Sequence, residues 1–269
     1  MVRIRLTFQL QDKRQNQLPI NYQYAVSAWI YKMLHSSNPG FSEWLHNQGY
    51  SLENKKFKLF CFSELQFGEN GCRFRHPDRL QISALSFDLV VSMAVPEAVN
   101  YFVMGIFREQ NLVLGDRVSQ VPLRLRSVET LIEPDFSTTT QKFTALSPIC
   151  VSRPELRNDK PIAQYLDPTD VDFERILLAN LQNKYRAFLQ SSDITNLDWG
   201  IAKMSFCLLN IRQKRLIHVP RKDMRPIKVR GYLMDFELTA PVDLLRFGYF
   251  AGFGEKNAGL GFGCVEGVN

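Results

Sequence analysis

The sequence has no run of about 18 uninterrupted apolar residues, so no membrane-spanning helix is expected. Its first ten residues, MVRIRLTFQL, alternate basic and apolar types. They lack the charged cap and apolar block of a secretory signal, and we expect a cytoplasmic protein. The five cysteines (Cys61, Cys72, Cys150, Cys207 and Cys264) are an odd number without a CxxC pair, mostly in apolar runs. That favours buried free thiols over a disulfide framework or a zinc site, and no metal or cofactor is expected. No GK[ST] follows a glycine-rich loop and no strand leads into one, which argues against Walker and Rossmann nucleotide sites. Histidine is scarce. With four in the chain, imidazole chemistry must come from His35, His46, His76 or His218.

What is present is a large apolar fraction and one concentrated charge. At 269 residues and 45% hydrophobic composition, the chain can build one large core or two of ordinary size. Between Arg212 and Arg230 lie Arg212, Lys214, Arg215, Arg221, Lys222, Arg225, Lys228 and Arg230, opposed only by Asp223. That window carries +7 against a chain total of +6, so everything else sums to −1. Basicity this local suits a surface that meets a polyanion; an ordinary solvated hairpin is the alternative.

Hydrophobic periodicity orders the chain. Arg3 to Gln9 alternates as a half-buried strand. Tyr22 to His35 has helical spacing, and a short helix from Phe41 to His46 follows Asn38-Pro39-Gly40. Phe57 to Leu65 and Leu80 to Met93 are predicted strands. Pro96 opens a helix to Glu109, and Pro122 to Leu131 alternates as a strand. The second half repeats the order. It has a strand over 143–151, a helix over 170–189 with Asp170 as cap, strands over 203–212 and 229–239, a helix over 241–250 and a closing strand over 260–265. Two β-α-β-β-α-β units in tandem predict an α+β fold of two ferredoxin-like domains, residues 1–133 and 134–269.

The most specific segment is Gly252-Phe253-Gly254-Glu255-Lys256-Asn257-Ala258-Gly259-Leu260-Gly261-Phe262-Gly263. Five glycines in twelve residues permit positive φ and close backbone approach, either as a structural turn or to present amides to a phosphate. With Pro19-Ile20-Asn21-Tyr22-Gln23-Tyr24, Ile30-Tyr31, Ser36-Ser37-Asn38-Pro39, Leu45-His46, Lys58-Leu59-Phe60 and Leu146-Ser147-Pro148-Ile149, it spans nearly the whole chain. In these segments the chain resembles the CRISPR-associated repeat-RNA endoribonucleases, the sixth Cas family of the repeat-associated mystery protein superfamily. The glycine loop is a signature of the superfamily, and the Tyr31 to His46 stretch narrows the resemblance to the family.

The resemblance implies cleavage of precursor CRISPR RNA within its repeats, without metal, through attack of the 2′-OH to give 2′,3′-cyclic phosphate and 5′-hydroxyl ends. His46 stands where the family carries its catalytic histidine, and Tyr31 where it carries an active-site tyrosine. Lys58 aligns best as the cation, although the linker from His46 is longer than the family's. Period-2 alternation puts Lys56 on the same strand face, making it the alternate. His35, one turn beyond Tyr31, is the reserve histidine. Candidate RNA contacts are the eight basic residues of the hairpin together with Gly252, Gly254, Lys256, Gly259 and Gly261. Phe253 and Phe262 are candidates for base stacking or for the core. Repeat RNA, as precursor and product, is the expected partner; a CRISPR effector complex and a homodimer are left open. Two rivals are a non-catalytic RNA-binding subunit of such a complex and a small-molecule-binding ferredoxin-like regulator. The first has no need of a Tyr/His/Lys trio, and the second no need of a +7 window.

Overall fold

The structure, a computed structural model, describes residues 1–157, 160–191, 203–221, 224–255 and 258–268. Two antiparallel sheets organise these residues. In the first, the spatial order is Phe60–Phe62, Ser86–Met93, Val2–Leu10, Gln120–Thr130 and Asn111–Gly115. In the second it is Ser205–Arg221, Met224–Thr239, Thr140–Ala145 and Val265–Val268. Counted by appearance within each unit, both sheets run second, third, first, fourth, with one added edge strand, Asn111–Gly115, in the first. That order, with a helix after the first and third strands, is the ferredoxin-like arrangement twice over.

Helices α1 (Gln23–Ser37) and α3 (Pro96–Arg108) cover one face of the first sheet. Between them α2 (Pro39–Asn47) turns back along α1. Ile4, Leu6 and Phe8 alternate into this core, where Phe8 meets Trp29 edge-on at 5.5 Å and Trp29 meets Phe102 at 5.7 Å. Gly105 lets α3 lie directly on the backbone of α1, since a Cβ there would overlap Met33. In the second unit α4 (Phe173–Gln190) and α5 (Val242–Ala251) bury Phe173, Leu177, Leu181 and Phe247 with Phe143 and Phe236 of the sheet.

Several elements depart from the pattern reading. The first strand is buried on both faces near its start: Arg3, expected on the solvent side, is 1% exposed because α5 covers it. Its guanidinium lies 3.7 Å from the Tyr249 ring centroid and donates to the Tyr249 carbonyl at 3.3 Å. The predicted strand 57–65 is broken. Strands Lys55–Phe57 and Phe60–Phe62 flank Leu59, whose φ of 54° interrupts an extended chain. Leu80 to Met93 likewise divides into Arg79–Ile82 and Ser86–Met93. Asp170 is not the cap of α4. Its carboxylate accepts from the Asp172 amide in the turn before the helix, and Asp172 takes the cap position with no side-chain cap bond. The strand expected at 143–151 is Thr140–Ala145, and the closing strand expected at 260–265 is Val265–Val268, preceded by a 3-10 turn over Ala258–Leu260. Cys61, Cys150 and Cys264 are buried as expected, but Cys72 is half-buried and Cys207, on the edge strand Ser205–Arg221, is exposed. Among the described residues, no helix is long and apolar enough to cross a membrane.

Candidate active site

A cleft of about 620 Å³ opens between the two units. One wall is the outer face of α1, with Tyr24, Ala28 and Tyr31; the end of α2 adds His46, and the stretch after it adds Lys56 and Lys58. The opposite wall holds Lys184 of α4 with Glu255, Gly259 and Leu260 of the glycine-rich loop. α1 serves both sides because its sequence has two stripes. Val26, Trp29, Ile30 and Met33 face the core, leaving Tyr24 and Ala28 exposed and Tyr31 half-buried along the other edge.

Local chemistry fixes how His46 arrives. Asn38 ends α1 and caps α2, its Oδ1 accepting from the Phe41 amide at 2.9 Å, with Pro39 at the first turn. The Ser42 hydroxyl donates to the Tyr31 carbonyl at 3.2 Å, clamping α2 to α1. α2 is about two and a half turns long, and His46 sits exposed in the last one, its ring in T-shaped contact with Tyr31 at 5.2 Å. Its Nδ1 lies 3.1 Å from Asn47 Oδ1. Tyr31 also packs edge-on against Phe60 at 5.7 Å. Burial pushes the Tyr31 hydroxyl far above the ordinary tyrosine range, so it keeps its proton at neutral pH.

Both lysines reach the same helix end. Lys58 Nζ donates to the carbonyls of Leu45 and His46, the latter at 2.6 Å, and Lys56 Nζ to the Asn47 carbonyl at 3.1 Å. These are carbonyls that a helix terminus leaves without partners, at the negative end of its dipole. Partial burial and the neighbouring Lys56 pull the Lys58 ammonium below its ordinary value. The period-2 argument placed the two lysines together. The structure does so by another route, since Lys58 lies in the break after the strand Lys55–Phe57. His35 is exposed at the end of α1 and does not line the cleft.

The glycine-rich loop is built differently from an open phosphate cradle. The amides of Gly252 and Gly261 are already bonded, to the carbonyls of Gly248 and Ala258 at 2.9 Å each. Positive φ at Gly252, Gly254, Gly261 and Gly263 turns the chain so that it docks on the first sheet, where a Cβ on Gly252 would press on Cys61 and one on Gly261 would run into Phe62. Phe253 and Phe262 are buried in the core and do not face the cleft. Gly259 does, held by Ser27 Oγ donating to its carbonyl at 2.6 Å.

Sequence reasoning missed what grips this loop. Lys184, fully enclosed, donates to the carbonyls of Gly252 at 2.8 Å and Gly254 at 2.9 Å. One turn earlier Asn180 donates to the Glu255 carbonyl at 3.2 Å, and the Glu255 carboxylate accepts from Ser152 N at 3.0 Å and Ser152 Oγ at 2.6 Å. Burial pulls the Lys184 ammonium down to about 8, with Cys61 and Glu255 opposing. The available signal was that Asn180 and Lys184 occupy the buried stripe of α4, where polar residues need partners.

The basic stretch forms the hairpin of Ser205–Arg221 and Met224–Thr239. Its charge is partly spent. Arg212 pairs with Asp235 at 3.0 Å, and Arg215 with Glu64 at 3.0 Å, linking the hairpin to the first unit. Lys214, Lys228 and Arg230 are exposed, with the Lys214 ammonium 5.8 Å from the Tyr232 ring centroid. Lys222 and Lys256 lie outside the described residues, as do the side chains of Arg221 and Arg225. Among the described residues, no three His, Cys, Asp or Glu side chains gather as a metal site.

Two family models match the chain: CRISPR-associated protein Cas6, N-terminal, over residues 17–122, and CRISPR associated protein Cas6, C-terminal, over residues 131–267. A CRISPR-associated endoribonuclease Cas6 from Methanocaldococcus jannaschii is 31% identical over 268 residues, covering 98% of this chain and 93% of the relative. The Pyrococcus furiosus CRISPR-associated endoribonuclease Cas6 is 29% identical over 95% of this chain and 86% of its own. A solved structure described as CRISPR associated protein Cas6 superposes with a TM-score of 0.74 at 28% identity, over 100% of this chain and 99% of that one.

Proposed function

The chain belongs to the Cas6 family, and from that membership we propose that it is an endoribonuclease that cuts precursor CRISPR RNA within its repeats. The observation that carries this reading is the convergence of Tyr31, His46, Lys56 and Lys58 on one cleft whose far wall is the glycine-rich loop.

RNA carries its own nucleophile, so the reaction needs alignment and proton transfer more than it needs a metal. In this reading the His46 imidazole, free on its Nε2 side, takes the proton of the 2′-OH as that oxygen bonds to phosphorus. The bond to the 5′-oxygen breaks, and the protonated Tyr31 hydroxyl supplies the proton to the leaving oxygen. A 2′,3′-cyclic phosphate and a 5′-hydroxyl result. The ammonium of Lys58, with Lys56 behind it, stabilises charge on the phosphorane. Their bonds to the end of α2 keep both lysines beside His46 and are exchangeable for phosphate oxygens.

Residues 1–133 then carry the chemistry, and residues 134–269 hold the RNA through the hairpin and the loop. Lys214, Lys228 and Arg230, with Arg221, Lys222, Arg225 and Lys256, supply phosphate contacts, while Gly259 admits the strand close to the backbone. The test is incubation with candidate repeat RNAs in excess EDTA, followed by analysis of the product ends. Persistent cleavage with cyclic phosphate ends supports the reading; cleavage abolished by EDTA, or 5′-phosphate ends, overturns the mechanism.

A further inference from the structure

A second cavity, about 320 Å³, lies where the start of α1 meets the basic hairpin. Tyr22, Gln23, Glu64, Phe67, Lys214 and Arg215 are among its walls. Two polar atoms of this lining are shielded from solvent and have no hydrogen-bond partner, Gln23 Oε1 and Arg215 Nε. Gln23 is only 6% exposed, and its amide nitrogen makes no hydrogen bond among the described residues either. The neighbouring polar groups are already engaged. Arg215 Nη2 pairs with Glu64, the Tyr22 hydroxyl accepts from the Leu65 amide at 3.0 Å, and Asn21 Oδ1 accepts from the His218 amide at 3.0 Å. A buried polar group left unpaired destabilises the fold, and the fold offers Gln23 nothing in return. Two side chains of the cavity wall therefore each keep one unmatched polar atom, an acceptor on Gln23 and a donor on Arg215, at the foot of a basic hairpin.

We propose that this cavity receives a single unpaired base of the bound RNA, with Gln23 reading the base edge. The inference rests on the RNA-binding reading above. A primary amide matches a base edge that sets a donor next to an acceptor, and unpaired RNA bases are recognised through such edges with aromatic contact. The donor of the base meets Gln23 Oε1, its acceptor meets the Gln23 amide N–H, and Arg215 Nε supplies a further donor. Lys214 at the rim faces the adjoining phosphate, and the ion pair to Arg215 keeps Glu64 from repelling it.

The test compares the full chain with Gln23→Leu, which fills the same space without polar atoms. Binding is measured to two probes, a mixed-sequence single-stranded RNA and inorganic polyphosphate, which carries charge without bases. Gln23→Leu is expected to weaken RNA binding about tenfold while polyphosphate binding stays unchanged. Its melting temperature is expected to hold or rise, because the orphaned amide is gone. Unchanged RNA affinity, as for a cavity filled by water alone, overturns the proposal; so does a parallel loss on both probes. A wild-type chain that holds neither probe refutes the RNA-binding reading itself.

Discussion

The Tyr31 and His46 rings meet in a T-shaped contact with centroids 5.2 Å apart, joining the middle of α1 to the last turn of α2. This contact fixes the histidine at the cleft although its own ring is exposed. His46→Ala is expected to lower cleavage by about 10²–10⁴-fold while RNA binding is retained. Tyr31→Phe keeps the ring contact and removes only the hydroxyl, so its loss should be about 10²-fold or less. Single-turnover cleavage beside filter binding measures both, and unchanged cleavage in His46→Ala would remove that residue from the mechanism.

Lys58 and Lys56 differ in what they hold. Lys58 bonds two terminal carbonyls of α2 and Lys56 one. Lys58→Met should therefore lower cleavage and also destabilise the fold by about 1 kcal/mol, with Lys56→Met milder on both counts. Urea unfolding alongside cleavage assays separates the effects. A variant that loses stability but cleaves normally would make Lys58 a helix cap alone.

Salt dependence should reveal the ion pairs of the hairpin. With Arg212 and Arg215 engaged by Asp235 and Glu64, at most six of the eight cations are available to RNA. Affinity should fall roughly 10²–10³-fold between 50 and 200 mM salt. Lys228→Ala or Arg230→Ala should flatten the slope of log affinity against log salt by just under one unit, and Arg212→Ala should leave it nearly unchanged. Equal effects would show that the pairs open when RNA binds.

Lys184 titrates at about 8 when folded, below the ordinary 10.5. Between these values the unfolded chain holds more protons than the native one, so the contribution of this group to stability rises with pH across the interval. Below about 8 the charged form bears the full burial penalty. Relative to Lys184→Met, the wild type should gain melting temperature as pH rises from about 7 to about 10. A pH-independent difference would mean that the lysine is not held at a depressed value.

Gly261 has a φ of 75°, and a side chain there would strike the Phe62 ring. Gly68, at a φ of 73°, has nothing within 4 Å. Gly261→Ala should cost about 2–4 kcal/mol, because it combines backbone strain with overpacking, and Gly68→Ala about 1 kcal/mol. Thermal unfolding of the two variants compares them directly, and equal losses would refute the docking role of the loop.

The strand and helix order of both units was legible because ferredoxin-like units write it in periodicity. Element ends were less legible. Leu59 breaks a run of strand formers through one backbone angle, and Asp170 turns the chain two residues before the cap. Long-range pairs left no local trace. Nothing near Arg3 announces Tyr249, and nothing near Arg212 or Arg215 announces Asp235 or Glu64, so the free charge of the hairpin was overstated. Lys184 was overlooked because a lysine in a helix usually reads as solvated, even where the stripe around it is apolar.

Arg3 lies enclosed between the two halves of the molecule, stacked on Tyr249 and donating to its carbonyl. Spreading the two walls apart would uncover that guanidinium together with the Phe62 and Cys61 surfaces on which the glycines rest. The width of the gap is thus tied to the packing of this joint, and widening it would cost the burial of these groups. Substitutions at this hidden joint, far from any reacting atom, would accordingly surface as altered turnover.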